Sequence, residues 1–141
     1  MAIKLKRINE KFALEATTEE GVVTKIDGSE KIGGVGYGAR PMQLLATALG
    51  SCSSIDILSI LYKQKQDVQD YEVVIHPHRR ENELPAIFDK IHVEVIIYGN
   101  VDPEKAQKAA DLSFQKYCSV SRMIENASEI TYEVTVKSAK K

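Results

Sequence analysis

Residues 40–56 read RPMQLLATALGSCSSID, and this stretch decides the fold of the 141-residue chain. Pro41 stands where a helix would begin, because proline at the first helical position loses no backbone hydrogen bond. From residue 42 to about residue 66 the pattern is helical and apolar on nearly every side, with small residues crowded in the middle. A helix that is apolar all round must be central. The sequence therefore predicts a core helix, or a helix at a seam between two copies of the chain.

The segments that flank this helix are predicted to be strands. Before it, three short pieces at about residues 3–8, 12–16 and 22–26 are rich in β-branched or alternating apolar residues, which indicates two hairpins or a three-stranded meander. After it come two longer strands, joined by a charged link over residues 77–85. Their predicted inner faces carry Tyr71, Val73 and Ile75 in the first strand and Ile91, Val93, Val95 and Ile97 in the second.

The last third of the chain is predicted to be helix and then strand. Asp102-Pro103-Glu104 starts a helix that runs to about Tyr117, a shorter helical piece covers about residues 119–125, and an alternating strand follows. The predicted inner face of the longer helix carries Ala106, Ala109, Ala110, Ser113 and Phe114. The order βββ-α-ββ-α(α)-β lacks the regular βαβ alternation of a doubly wound sheet. A single α+β domain over residues 1–141 is therefore expected.

Charge and hydropathy argue against several classes of partner. The formal net charge is −1, and the basic pairs Arg79-Arg80 and Lys140-Lys141 do not resemble a nucleic-acid-binding patch. The longest apolar tract, about residues 44–61, is interrupted by Gly50 and Asp56, so a buried helix is expected rather than a membrane span. The N-terminus lacks the apolar stretch of a secretory signal. A cytoplasmic protein with mostly reduced cysteines is predicted.

Two cysteines, Cys52 and Cys118, are the residues best suited to chemistry. Cys52 lies in the middle of the central helix, and Cys118 lies at a break between two helical pieces. At the N-terminus of the last short helix, the pKa of the Cys118 thiol would be lowered by the helix dipole and free amides, which favours a reactive thiolate. The alternative is that both are unrelated buried cysteines acting as small hydrophobes.

Metal-binding motifs are not found in the sequence. It has no C-x-x-C and no H-x-x-x-H, and its histidines, His76, His78 and His92, fall on strands or at their ends. A zinc site made of the two cysteines and one histidine would need an unusual arrangement. The sequence therefore predicts no metal ligand.

Asp56 lies four residues after Cys52, so both side chains can share one face of the helix. A buried carboxylate must be paired or neutral, and its charge would disfavour a thiolate at Cys52 unless a cation compensates. Asp56 can equally be a structural partner for an arginine or for backbone amides. The candidate cations are Arg40, Arg79, Arg80 and Arg122.

Two of these segments resemble motifs of the OsmC/Ohr proteins. Residues 40–52 resemble the central-helix motif of that family, a helix started by proline with a cysteine about three turns in. Residues 116–121, KYCSVS, resemble its second motif, in which a small residue or proline, a hydrophobe and a serine follow a cysteine. The order and separation of the motifs also fit, and the resemblance covers essentially the whole chain. Residues 50–56, GSCSSID, look most like the YhfA-like branch.

The resemblance implies an OsmC-like fold and an intertwined homodimer with sites at the subunit interface. It also implies thiol-dependent reduction of hydroperoxides, preferably organic ones, in defence against oxidative stress. Cys52 would be the peroxidatic thiolate, and Cys118 would condense with its sulfenic acid to form a disulfide that an external dithiol reduces. No metal or organic prosthetic group is required.

Two departures from the family pattern concern the activation of the thiolate. Hydroperoxide reductases of this family have a glutamate directly after the helix-starting proline, where this chain has Met42 followed by Gln43. They also use an arginine from the N-terminal strands, whereas no arginine occurs here between Lys11 and Gly38. The sequence therefore predicts that this glutamate–arginine clamp is absent. The candidates for a stabilising or supporting role at the thiolate are Arg40, Arg122, Gln43 and Asp56.

Two other functions stay open at the level of sequence. One is a non-peroxidatic protein that binds a small apolar or sulfur-containing ligand, with the cysteines as ligand contacts or sulfur acceptors; the missing clamp favours it. The other is a redox sensor whose disulfide alters the dimer or a partner surface. Neither a nucleic acid nor a membrane is an expected partner.

Overall fold

The computed structural model describes residues 1–139, so the predicted basic pair Lys140-Lys141 lies outside the described residues. The chain divides into two compact units, Met1–Leu45 and Ala46–Lys141, which are described in turn. The mixed α+β class predicted from the sequence is confirmed, with two three-stranded sheets and three α-helices among the described residues. The assignment of residues 1–141 to one domain stays a prediction.

The first unit is built on an antiparallel meander, as the sequence predicted. Its strands are β1 (Ile3–Arg7), β2 (Leu14–Thr18) and β3 (Val23–Ile26), in the order β1-β2-β3. The glycine-rich segment that follows is organised by the buried carboxylate of Asp27. That carboxylate accepts backbone N–H bonds from Gly28, Val35 and Tyr37 at 2.7 to 3.0 Å.

Helix α1 covers Pro41–Lys63 and crosses from the first unit into the second. It ends three residues before the predicted residue 66 because Lys65 adopts a left-handed φ of 56°, and the Gln66 N–H then bonds the Leu61 carbonyl at 2.9 Å. By length and composition alone α1 would qualify as a membrane span. One side of it is instead packed in protein, as expected of a core helix, with Ala46, Leu49, Gly50, Ser53, Ile57 and Leu61 buried.

The sheet of the second unit has the order β4-β5-β6. Strands β4 (Asp67–Arg79) and β5 (Phe88–Asn100) are antiparallel, and β5 pairs in parallel with β6 (Glu129–Lys137). The predicted inner face of β5 is confirmed, since four of its apolar side chains are at most 1% exposed, those of Ile91, Val93, Val95 and Ile97.

The predicted link over residues 77–85 begins too early. β4 continues through Pro77, which pairs with Ile91, and ends at Arg79. Proline removes a ladder donor, but β4 is an edge strand of this sheet and can lack one N–H. The proline was therefore a poor guide to where the strand ends.

The second helical segment is divided into three parts. Helix α2 (Pro103–Leu112) starts at Asp102, whose carboxylate accepts the Glu104 N–H at 2.9 Å. A π-helical turn (Ser113–Tyr117) follows, and helix α3 covers Ser119–Ile124. The predicted inner face, Ala106, Ala109, Ala110, Ser113 and Phe114, is buried. The π-turn is the last stretch of what the sequence predicted as continuous helix to Tyr117.

Candidate redox site

Three side chains that can lose a proton meet in the second unit. The sulfurs of Cys52 and Cys118 and a carboxylate oxygen of Asp56 all lie within 4.8 Å of one another. Both cysteines are free thiols. The two cysteines are therefore neighbours in space, and a chemical role for them stays a prediction.

Helix α1 supplies two of the three groups. Cys52 and Asp56 share one face of the helix, as their four-residue spacing predicted. The Asp56 carboxylate has a hydroxyl partner, because the fully buried Ser113 donates to its Oδ2 at 2.9 Å. The sequence suggested an arginine or backbone amides as the partner of Asp56, whereas the partner in the structure is the Ser113 hydroxyl.

The third group, Cys118, lies at the junction between the π-turn and α3. Its backbone N–H donates to the Ser113 carbonyl at 2.7 Å, and its sulfur accepts the Ser121 N–H at 3.3 Å. Cys118 is therefore the N-cap of α3, the position expected from the sequence. Ser113 contacts both sides of the site, through its hydroxyl to Asp56 and through its carbonyl to Cys118.

The expectation that this position lowers the pKa of Cys118 is wrong. Burial is the largest influence and raises the pKa of the thiol to about 11. The Ser121 N–H lowers the pKa, but the hydrogen bond with Cys52 and the negative charge of Asp56 raise it further. The six-residue helix α3 supplies one amide to the Cys118 sulfur, which does not outweigh the loss of water around a residue that is 3% exposed.

The two thiols differ in accessibility. Cys52 is half-buried, whereas Cys118 is almost completely enclosed. A reagent or substrate that approaches the site from solvent meets Cys52 first.

Three of the candidate cations, Arg79, Arg80 and Arg122, have partners of their own at exposed positions. The Arg122 side chain is 83% exposed and lies 3.7 Å from the Glu125 carboxylate. Arg79 donates to the Ala86 carbonyl at 2.9 Å, and Arg80 lies 3.4 Å from Glu83. These three guanidinium groups make surface contacts, which is the usual environment of arginine.

Arg40 and Gln43 lie in the first unit, at the start of α1. The Arg40 backbone N–H donates to the Gln43 side-chain oxygen at 2.9 Å, so Gln43 satisfies an amide before the first helical turn. That contact explains a polar residue at this position. A role for either residue in supporting a thiolate stays a prediction.

The sequence did not predict two hydroxyl groups near this region. Ser113 was predicted only as part of the inner face of a helix; its polarity on an otherwise apolar, alanine-rich face was the available signal. Tyr71 on β4 places a buried hydroxyl near Ser54, two residues after Cys52, and burial raises the pKa of Tyr71 to about 12. Which residue of α1 lies near this hydroxyl depends on the packing of helix on sheet, which periodicity does not reveal.

Comparison with known proteins gives a family and a fold. The family described as OsmC-like protein matches residues 33–133. Over 100 residues the chain is 43% identical to Protein YhfA of Escherichia coli strain K12, an alignment that covers 70% of this chain and 74% of that protein. No activity accompanies that name.

Solved structures of similar proteins cover nearly the whole chain. A hypothetical protein from Aquifex aeolicus VF5 superimposes with a TM-score of 0.85 at 28% identity, over 99% of this chain and 97% of its own. An organic hydroperoxide resistance protein OsmC from Legionella pneumophila, also described as a predicted redox protein, superimposes with a TM-score of 0.69. Its identity is 19%, over 96% of this chain and 98% of its own, so this likeness shows the fold alone.

Proposed function

The chain belongs to the OsmC-like protein family, and from that membership we propose that it is a cytoplasmic, homodimeric thiol peroxidase that reduces organic hydroperoxides. The observation that carries the proposal is the proximity of the two sulfurs, which lie within 4.8 Å of each other in their free thiol state. Rotation of the side chains over a few ångströms brings such sulfurs to the ~2.05 Å of a disulfide.

The reaction begins at Cys52, the more accessible thiol. Its thiolate attacks the terminal oxygen of the hydroperoxide, the O–O bond breaks, and the departing alkoxide takes a proton to leave as an alcohol. Cys52 is oxidised to a sulfenic acid, and the hydroperoxide is reduced by two electrons.

Cys118 completes the cycle. Its sulfur attacks the sulfenic sulfur of Cys52, a disulfide forms, and the hydroxide that leaves takes up the proton released by Cys118 and departs as water. Asp56, within 4.8 Å of both sulfurs, carries that proton once side-chain rotation or a bridging water brings it within hydrogen-bond reach. An external dithiol then reduces the disulfide and restores both thiols.

The environments of the two thiols suit these different roles, with Cys52 attacking the peroxide and Cys118 forming the disulfide. Cys118 has its pKa raised to about 11, mainly by burial, so it stays protonated and unreactive toward peroxide at neutral pH. Cys118 reacts only after Cys52, beside it, has been oxidised to a sulfenic acid. Enclosure also limits the direct oxidation of Cys118 by peroxide.

The proposed dimer would cover the apolar residues that α1 leaves exposed. Both Ile55, which is 68% exposed, and Tyr62, which is 59% exposed, are large apolar side chains on the side of α1 that is not packed in protein. Exposed apolar side chains of this size, two helical turns apart on one helix, are typical of an interaction surface. A second copy of the chain is the occupant that the family resemblance implies.

The peroxidase proposal is tested by consumption of cumene hydroperoxide and of hydrogen peroxide in the presence of dithiothreitol. Wild type should consume the organic peroxide faster, and Cys52→Ser should abolish the consumption. Ser51→Ala is the matched control, because Ser51 is an exposed neighbour on the same helix. Consumption that is equal in wild type and Cys52→Ser would refute the proposal.

A second function, binding of a small apolar or sulfur-containing ligand, is favoured by Asp56. A carboxylate beside the thiols opposes thiolate formation, and the glutamate of the family clamp is replaced by Met42. In this case Cys52→Ser would leave reversible ligand binding intact while peroxide consumption is negligible in wild type as well.

A further inference from the structure

We propose that Cys52, Asp56 and Cys118 form a binding site for a thiophilic divalent cation, with Zn²⁺ as the physiological candidate. The proposal is independent of the peroxidase activity, although it uses the same two thiols. It was not predicted from the sequence, because the three donors come from positions 52, 56 and 118 and match no contiguous metal-binding motif.

The spacing of the donor atoms carries the inference. In a tetrahedral site with Zn–S bonds of about 2.3 Å, two sulfurs lie ~3.8 Å apart, and a carboxylate oxygen lies slightly closer to each sulfur. The three donor atoms of this site are already within 4.8 Å of one another. Shifts of about 1 Å, which side-chain rotation provides, would therefore complete three corners of a tetrahedron.

The chemistry of the donors also matches zinc. Two thiolates and a carboxylate form a set that soft and borderline cations accept, whereas Mg²⁺ and Ca²⁺ prefer oxygen ligands alone. Binding releases one proton from each thiol to solvent, and the two positive charges of the ion offset two of the three negative charges of the ligands. Within residues 46–139, Asp56 forms no ion pair with lysine, arginine or histidine that would compete for its charge.

Two of the three donors are held by neighbouring groups. The Ser113 hydroxyl donates to Asp56 Oδ2 at 2.9 Å, and the Ser121 N–H donates to Cys118 Sγ at 3.3 Å. Hydrogen bonds of this kind orient the ligands of metal sites and stabilise bound thiolates. The third donor, Cys52, is placed by the rigid four-residue spacing on α1.

Three protein ligands leave a fourth position for water or an external ligand. Such open sites are typical of catalytic or exchangeable zinc rather than of structural zinc, which is enclosed by four protein ligands. Because Cys52 is half-buried, the fourth position would be reached from the same side as the thiol. A bound ion would occupy both sulfurs and prevent the disulfide from forming.

The test is titration of reduced, chelator-treated protein with Zn²⁺ by calorimetry, and with Co²⁺ by absorption spectroscopy. We expect one ion per chain and a near-ultraviolet thiolate-to-cobalt charge-transfer band. Cys52→Ser and Cys118→Ser should each weaken Zn²⁺ binding at least ~100-fold and reduce that band, and Asp56→Asn should weaken binding ~10-fold or more while the band persists at a shifted position. Ser51→Ala, the exposed control on α1, should bind as wild type does.

The outcome of these titrations is separate from the outcome of the peroxide assay. Retention of wild-type affinity in both cysteine variants, or no binding of either ion by reduced wild type, would overturn the proposal whether or not the protein consumes peroxide. If a cysteine variant fails to fold, as judged by circular dichroism, Asp56→Asn together with zinc protection of the two wild-type thiols against iodoacetamide decides the matter. Equal alkylation of both thiols with and without Zn²⁺ would contradict the site.

Discussion

The enclosure of Cys118 predicts an unusual pH dependence for its alkylation. Burial raises the pKa of this thiol to about 11, against an ordinary value of 9.0. The thiolate is the nucleophile, so its alkylation rate follows the fraction of deprotonated thiol. In the folded, metal-free protein that rate should climb about tenfold per pH unit from pH 7 to pH 10 without reaching a plateau.

The magnitude follows from the two pKa values. At pH 8 a thiol with a pKa of about 11 has about 100-fold less thiolate than one with a pKa of 9.0. Restricted access to the sulfur lowers the rate further, but it does so equally at every pH. The shape of the pH profile therefore reports the pKa, and the absolute rate reports burial and pKa together.

The assay is a timed pulse of iodoacetamide in the presence of a chelator, followed by proteolysis and mass spectrometry of the peptide that contains Cys118. The same protein unfolded in guanidinium supplies the reference profile, and the Cys52 peptide is quantified in the same sample. Asp56→Asn should increase the Cys118 rate at pH 8, because the negative charge of Asp56 contributes to the raised pKa. Glu125→Gln, which removes an exposed charge from another position, is the control.

A profile that reaches its plateau below pH 9 in the folded protein would refute this reasoning. It would mean that the Ser121 N–H and the start of α3 dominate over burial, as the sequence alone had suggested. Cys118 would then be a candidate for direct attack on peroxide.

Three further predictions concern stability, and each is measured by urea denaturation. The pKa values of Cys118 and Tyr71 are raised in the folded protein to about 11 and about 12. The stability that these two protonated groups contribute is fully present below their unfolded pKa values and is lost as pH rises through their folded pKa values. Between pH 8 and pH 11 we expect Cys118 alone to cost about 2–3 kcal/mol of unfolding free energy, and Cys118→Ala should remove that part of the pH dependence; an unchanged slope would contradict it. Ser113→Ala should destabilise the protein by ~1 kcal/mol, since it removes a buried hydroxyl from a carboxylate, whereas the exposed Ser119→Ala should change stability by less than ~0.5 kcal/mol. Gly50→Val should destabilise by about 2 kcal/mol because a Cβ at this buried helical position would overlap a side chain of β4, and a neutral result would show that β4 can move away.

The fold was largely predictable because its elements carry strong local patterns. The alternation of Ile91, Val93, Val95 and Ile97 predicted a buried strand face, and Pro41 predicted the start of α1. Errors arose where tertiary context decides the outcome. Pro77 predicts a link, yet an edge strand accepts it, and the left-handed φ of Lys65 ends α1 earlier than its composition predicts.

The site was predictable only in part. The four-residue spacing of Cys52 and Asp56 follows from helix geometry, so their common face could be inferred. The approach of Cys118 depends on how the π-turn packs against α1, and the Ser113 contact depends on the same packing. Local position predicted a lowered pKa for Cys118, because the burial that raises it is a property of the folded protein and not of the motif.

The central claim is that Cys52 and Cys118 act as one redox pair. The most direct test adds one equivalent of cumene hydroperoxide to the reduced, metal-free protein and follows intact mass, free thiols and the alcohol product in a single turnover. The account predicts loss of two thiols per chain, a Cys52–Cys118 disulfide in the peptide map, and one molecule of alcohol per disulfide. Two free thiols that persist after the addition, or a disulfide that joins different chains through one cysteine alone, would contradict it.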